Sequence, residues 1–128
     1  MNIYVVDEEK IVVRVLCDFL SDLGYEVFPF YSVSELLKSE PAEPSSVDLI
    51  IIDLGRLSQD GAIEVIRSTH ERYPDTDIVI MSTVLPYNEA ISQRVYSYLR
   101  KPFRLEELEL LLARLTQSRG KKIPKKLG

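Results

Sequence analysis

Three features of this 128-residue sequence predict an α/β fold in which a five-stranded parallel sheet is covered by helices on both faces. Short apolar runs alternate with amphipathic stretches along the whole chain, the pattern of strands joined by helical crossovers. The run "VDLIII", Val47 to Ile52, is too apolar to alternate between core and solvent, as a strand buried on both faces would be. The polar residues that close the apolar runs are chemically related, which fits strands ending at one common edge.

The elements follow in order. "NIYVV" reads as the first strand, and Val12, Leu16, Phe19, Leu20 and Leu23 form a helical stripe closed by Gly24 as the C-terminal cap. "YEVFPF" is a short second strand. Ser32 and Glu35 stand at capping-box spacing and start a short helix over "SVSELLKS". "EPAEPSS" is loop, and "VDLIIID" is the third strand. Asp60-Gly61 leads into "AIEVIRSTHERY" as a helix, followed by "DIVIMS" as the fourth strand, "YNEAISQRV" as a short helix and "YSYLRK" as the fifth strand. The last helix carries Leu105, Leu108, Leu111, Leu112 and Leu115 on one face.

With 45% hydrophobic and 28% charged residues, the chain suits one domain able to build its own core. We place that domain at residues 1–117 and a basic tail or linker at 118–128. No apolar run approaches the ~20 residues of a membrane helix, and no basic leader precedes the first strand, so no membrane partner and a cytoplasmic location are expected. Cys17 is the single cysteine, which excludes an internal disulfide and suggests core packing. The net charge is −4, but five of the 16 basic residues (Arg119, Lys121, Lys122, Lys125, Lys126) lie in the tail, leaving a body with 11 basic against 20 acidic side chains, a net of −9. An acidic body argues against direct nucleic-acid binding.

Asp53 closes the most apolar strand, and the turn formers Gly55, Ser58 and Asp60-Gly61 follow it. Its carboxylate is therefore expected at the strand's carboxyl end, where open α/β sheets bind ligands. The first strand runs into Asp7-Glu8-Glu9, the fourth into Ser82-Thr83 and the fifth into Lys101-Pro102. Close carboxylates repel unless a cation sits among them, and an oxygen-only donor set suits Mg²⁺. A lysine is a compact charge suited to phosphoryl oxygens, and a carboxylate is a competent nucleophile toward phosphorus. Ser82 would donate a hydrogen bond to the transferred group.

The motifs "VVDEE", "LIIIDL", "DG", "IVIMST" and "YLRKPF", in this order across residues 2–117, resemble those of response-regulator receiver domains of two-component signalling, the chemotaxis receiver among them. The resemblance implies a flavodoxin-like sheet of order 2-1-3-4-5. It implies a phosphorelay function in which Asp53 accepts a phosphoryl group from a sensor histidine kinase or phosphotransfer protein. Asp7, Glu8, Asp53 and the Gly55 backbone carbonyl would hold Mg²⁺, and Lys101 would bind the phosphoryl group. Ser82, with Thr83 beside it, takes the switch-hydroxyl position, and Tyr98 takes that of the aromatic ring that turns inward on activation. Lys101-Pro102 would be a cis peptide. A homodimer through the fourth helix, fifth strand and fifth helix is a further implied partner.

Several positions depart from that pattern. Glu8 stands where a second Asp is usual, Leu57 where a proline is usual, Arg56 where an apolar residue is usual, and Arg94-Val95 where Gly-Ala is common. The interval from Ser82 to Lys101 is short for the family, which predicts a trimmed fourth helix. These departures leave a second function class open: a receiver-shaped interaction module that binds a partner without phosphorylation. An Asp-phosphate hydrolase would carry a second Asp two residues past the nucleophile, where Gly55 stands. Nucleotide-cradling glycine loops, metalloprotease helices and nucleophile elbows are absent from the sequence, so the chain is expected to be a signalling domain rather than an enzyme. His70 is expected on the helix surface, away from the carboxylates. Tyr87, Tyr96 and Tyr98 are candidates for packing or for partner contact.

Overall fold

In the sheet each strand lies parallel to its neighbours, and the central strands are short apolar runs because helices shield both faces. The computed structural model describes residues 1–39, 47–55, 57–84 and 89–122, the last four by their backbone. These form β1 (Asn2–Val6), α1 (Lys10–Asp22), β2 (Glu26–Phe30), α2 (Val33–Lys38), β3 (Leu49–Asp53), α3 (Gln59–Arg72), β4 (Asp77–Ser82), α4 (Glu89–Ser92), β5 (Ser97–Arg100) and α5 (Leu105–Lys122). The strand order is β2-β1-β3-β4-β5, with every pairing parallel. The expected architecture and sheet order are those observed.

Side-chain alternation in β3 divides the core in two. Leu49 and Ile51 join Val13, Leu16 and Leu20 of α1 and Leu108, Leu111, Leu112 and Leu115 of α5. Ile50 and Ile52 join Leu36 of α2, Ala62 and Ile66 of α3 and Ile91 of α4. Each such valine, leucine or isoleucine contributes about 1.5–3 kcal/mol by leaving water. β2 forms an edge and accommodates Pro29, in register with Val5, where a missing N–H is tolerated.

Local differences from the sequence reading have local causes. In α1 the buried row is Val13, Leu16 and Leu20, with Val12 and Phe19 only partly covered, because the helix packs along the centre of the stripe rather than its margin. Leu23 lies beyond the last helical residue and is exposed, while Gly24 takes the left-handed conformation (φ +98°) that turns the chain toward β2. Ser32 caps α2 by accepting from the Glu35 N–H at 3.0 Å, but the Glu35 carboxylate accepts from Tyr31 N–H, one residue before the capping-box position.

α3 starts at Gln59, three residues before Ala62, because Ser58 accepts from the Gly61 N–H at 3.1 Å and caps it. α4 is confined to four residues. α5 continues to Lys122, so the backbone at Arg119, Lys121 and Lys122 is helical rather than an irregular tail. The loop assigned to residues 40–46, Arg56 and Tyr87 lie outside the described residues. Among the described residues no helix is long and apolar enough to cross a membrane.

Candidate functional site

Parallel register gathers the strand ends. Val6 pairs with Ile52, Asp53 with Met81 and Ser82 with Arg100, so the next residues, Asp7 and Lys101, emerge beside Asp53 at one edge. Backbone bonds pin both, from Asp7 N–H to the Phe30 carbonyl at 3.1 Å and from Lys101 N–H to the Ser82 carbonyl at 2.8 Å. The Lys101 ammonium then donates to Asp7 Oδ2 at 2.6 Å and to Asp53 Oδ2 at 2.7 Å, and lies 3.8 Å from Glu9 Oε1. The remaining oxygens are also engaged. Asp7 Oδ1 accepts from Glu9 N–H at 2.9 Å, and Asp53 Oδ1 accepts from Gly55 N–H at 2.7 Å. Asp7, Glu9 and Asp53 each place a carboxylate oxygen within 4.8 Å of the others. They open onto a cleft of about 890 Å³, also lined by Glu8, Ser32 and Gly55.

Burial and charge act against each other here. Burial raises the Asp7 carboxyl above the ordinary carboxylate range; the Lys101 ammonium and the Glu9 N–H pull it down without cancelling the rise, and the Asp53 charge adds to it. Burial also disfavours the Lys101 ammonium, but bonding and attraction to Asp53 and Asp7 outweigh this and hold its pKa above that of free lysine. Lys101 is therefore a permanent cation at neutral pH, and it partly neutralises an acidic edge that would otherwise repel itself.

A sequence model of the response regulator receiver domain matches residues 3–113. The chain belongs to the response-regulator receiver domain family. Relatives of this receiver include the DNA-binding transcriptional regulator NtrC of Azospirillum brasilense, 30% identical over 120 residues that cover 91% of this chain and 24% of the relative. An NtrX-like response regulator of Rickettsia bellii is 29% identical over 119 residues, covering 89% and 24%. The receiver thus spans about a quarter of the length of these curated relatives. Among solved structures it is similar to the response regulator TrrA of Thermotoga maritima in complex with Mg²⁺-BeF, with a TM-score of 0.73 and 26% identity over 89% of this chain and 97% of that one.

Within the receiver, Asp7, Asp53 and Lys101 meet directly, and Gly55 touches Asp53 through its N–H. Gly55 adopts φ +62°, and its conformation, not lack of space, calls for glycine. Glu8 is exposed and lines the cleft, but the third carboxylate of the group belongs to Glu9. Glu8 lies in a bend, and the Glu9 N–H bonded to Asp7 Oδ1 folds the chain so that Glu9 comes to the same group as Asp7. Sequence reasoning passed over Glu9, because a turn of this kind leaves no mark in "DEE" beyond the run of acids.

Ser82 is buried at the end of β4, where its hydroxyl accepts from Val84 N–H at 3.0 Å and donates to the Val84 carbonyl at 3.1 Å, while Thr83 is exposed. Tyr98 is half-buried on β5, with its hydroxyl 2.6 Å from Ser92 Oγ. The Lys101-Pro102 peptide is cis. His70 is half-buried rather than a surface residue, and its Nε2 is bonded to the Arg94 carbonyl. Cys17 packs against the α1–α5 side of the core, where burial first and the Asp18 charge second raise its thiol pKa.

Proposed function

We propose that this receiver accepts a phosphoryl group on Asp53 from the phosphohistidine of a sensor histidine kinase or phosphotransfer protein and so switches the binding of a partner or of an output domain. The observation that carries this reading is accessibility within the acidic group. Asp7 is 1% exposed and Asp53 15%, so although both line the cleft, Asp53 is the more accessible of the two carboxylates bound to Lys101. An Asp53 oxygen attacks phosphorus, the phosphorus–nitrogen bond breaks, and the imidazole leaves with the bonding pair. Lys101 is close enough to follow the phosphoryl oxygens and offset their charge.

The oxygen-only donor set of Asp7, Glu9 and Asp53 fits Mg²⁺, a hard cation that keeps several waters, with Glu8 and the Gly55 carbonyl as further donors on the family pattern. When bound, Mg²⁺ would neutralise charge on the transferring group. Ser82 and Thr83 then supply hydroxyls to the phosphoryl oxygens, and Tyr98 reports the change at the surface. The surface between β5 and α5, lined by Tyr96, Tyr98, Glu107, Leu110 and Arg114, is the face on which two receivers would pair.

A second reading is a receiver that binds its partner without phosphorylation. Glu8, which departs from the family's acid pair, lies outside the carboxylate group, which favours it. Labelling with a small phosphodonor and Mg²⁺ decides between them. The wild type is expected to be labelled and the folded Asp53→Asn variant is not, because an amide is a poor nucleophile. Persistent labelling of the variant places the acceptor elsewhere, and an unlabelled wild type that also fails to bind beryllofluoride favours the second reading.

A further inference from the structure

α4 is a single turn, Glu89–Ser92, whereas a helix needs on the order of 12–15 residues to be even marginal by itself in water. Its place is therefore set from outside. Ile91, fully buried, is its anchor in the core. The Arg94 guanidinium folds back on the Ala90 carbonyl at 2.7 Å and keeps the turn closed. Two side chains from other elements grip the end of the segment. His70 of α3 bonds the Arg94 carbonyl, and Tyr98 of β5 bonds Ser92. A carbonyl only accepts, so His70 Nε2 carries the proton and donates it.

The two ends of the His70 bond are unequal. α3 is fastened by the buried Ala62, Ile66 and Thr69, the last of them adjacent to His70. Arg94 follows a one-turn helix and borders a cavity of about 320 Å³ that His70, Asp77 and Gln93 also line. There is room for the end of α4 to shift, and any shift relative to α3 breaks the bond.

We propose that His70 is a positioning latch, a side chain that holds α4 in its resting place and thereby limits how readily the receiver reaches its activated arrangement. This rests on the reading of Asp53 as phosphoacceptor. On this proposal the bond is made in the resting arrangement and lost in the activated one, so removing it enlarges the competent fraction, and apparent affinity for a phosphoryl mimic rises in proportion. The loss of one neutral hydrogen bond corresponds to roughly a fivefold change.

The test titrates beryllofluoride with Mg²⁺ into the full chain as wild type, His70→Ala and His70→Gln, and follows amide hydrogen exchange without ligand. His70→Ala is expected to bind roughly fivefold tighter and to exchange faster at Gln93 and Arg94 while Ile50, Ile51 and Ile52 are unchanged. His70→Gln, whose amide N–H still donates, is expected to restore both. Unchanged or weaker binding by His70→Ala overturns the latch, as does faster exchange throughout β3, which would mark a merely structural role. If the wild type itself does not bind beryllofluoride, the phosphoacceptor reading fails separately. The exchange data alone then judge the tie: faster exchange confined to Gln93 and Arg94 with rescue by glutamine supports it, and its absence overturns it.

Discussion

The acidic edge and the α4–β5 face are built from opposite materials. At the acidic edge, Asp7 and Asp53 leave the ends of central strands, and each carboxylate oxygen has a partner within 2.6 to 2.9 Å. At the α4–β5 face, a four-residue helix rests on one buried isoleucine and a few exposed or half-buried side-chain bonds. On the proposed function the first arrangement fixes geometry for chemistry, since attack on phosphorus needs the nucleophile and its neutralising cation held in place. The second stores little stabilisation, so small changes in contact can move it. A receiver needs both, and this sequence separates them by strand position.

The largest effect should come from removing the cation of the acidic edge. Lys101→Met leaves the buried Asp7 without its counter-charge and is expected to lower stability by about 3 kcal/mol at neutral pH, read from urea denaturation. Acidification should recover much of the loss, since protonated Asp7 needs no counter-charge. A loss independent of pH would show that packing, not charge, makes this edge rigid.

The α4 anchor tests the other side of the comparison. Ile91→Ala is expected to cost about 2 kcal/mol, at the low end for a buried isoleucine, because a one-turn helix can settle into the space left. Exchange should quicken around α4 and leave β1 and β3 protected. Equal loss of protection in all three would mean that the two regions unfold as one.

Asp7→Asn should act in the opposite direction, raising stability by roughly 1 kcal/mol, or about 3 °C in Tm, without metal at neutral pH. Burial raises the folded-state pKa of Asp7, so the folded protein holds this proton more tightly than the unfolded chain does. The stability linked to it is present below the ordinary carboxylate pKa and is lost as pH rises from there through the raised value. The advantage of the asparagine variant should therefore appear across that window and vanish below it. An advantage that persists at low pH would point to a cause other than ionisation. Smallest of all, Tyr98→Phe removes one exposed bond to Ser92 and is expected to cost about 0.5 kcal/mol by denaturation. A loss as large as that of Ile91→Ala would make the Ser92–Tyr98 pair, not the core contact, the true anchor of α4.

Legibility in the sequence followed the same division. Asp53 was readable because an ionisable residue at the end of "LIIID" conflicts with burial, and Lys101 because it ends the fifth strand at the same edge and stands in the "YLRKPF" motif. Glu9 was passed over in favour of its neighbour because the family pattern points to the second acid, whereas in the structure the bend at Glu8 and the Glu9 N–H bonded to Asp7 bring Glu9 to the group. The start of α3 was misplaced because Gly61 resembles a turn residue, and only the Ser58 cap shows that it lies inside the first turn.

Hydrophobic period and strand-ending polar residues, both local properties, determined the α/β class, the elements and the chemistry available at the sheet's edge. Whether Glu8 or Glu9 joins Asp7 and Asp53, and whether His70 faces solvent or grips Arg94, was decided only by the tertiary structure. A carboxylate's or imidazole's partner is chosen by a few ångströms of side-chain reach between elements distant in sequence, and periodicity within one element carries no record of that distance.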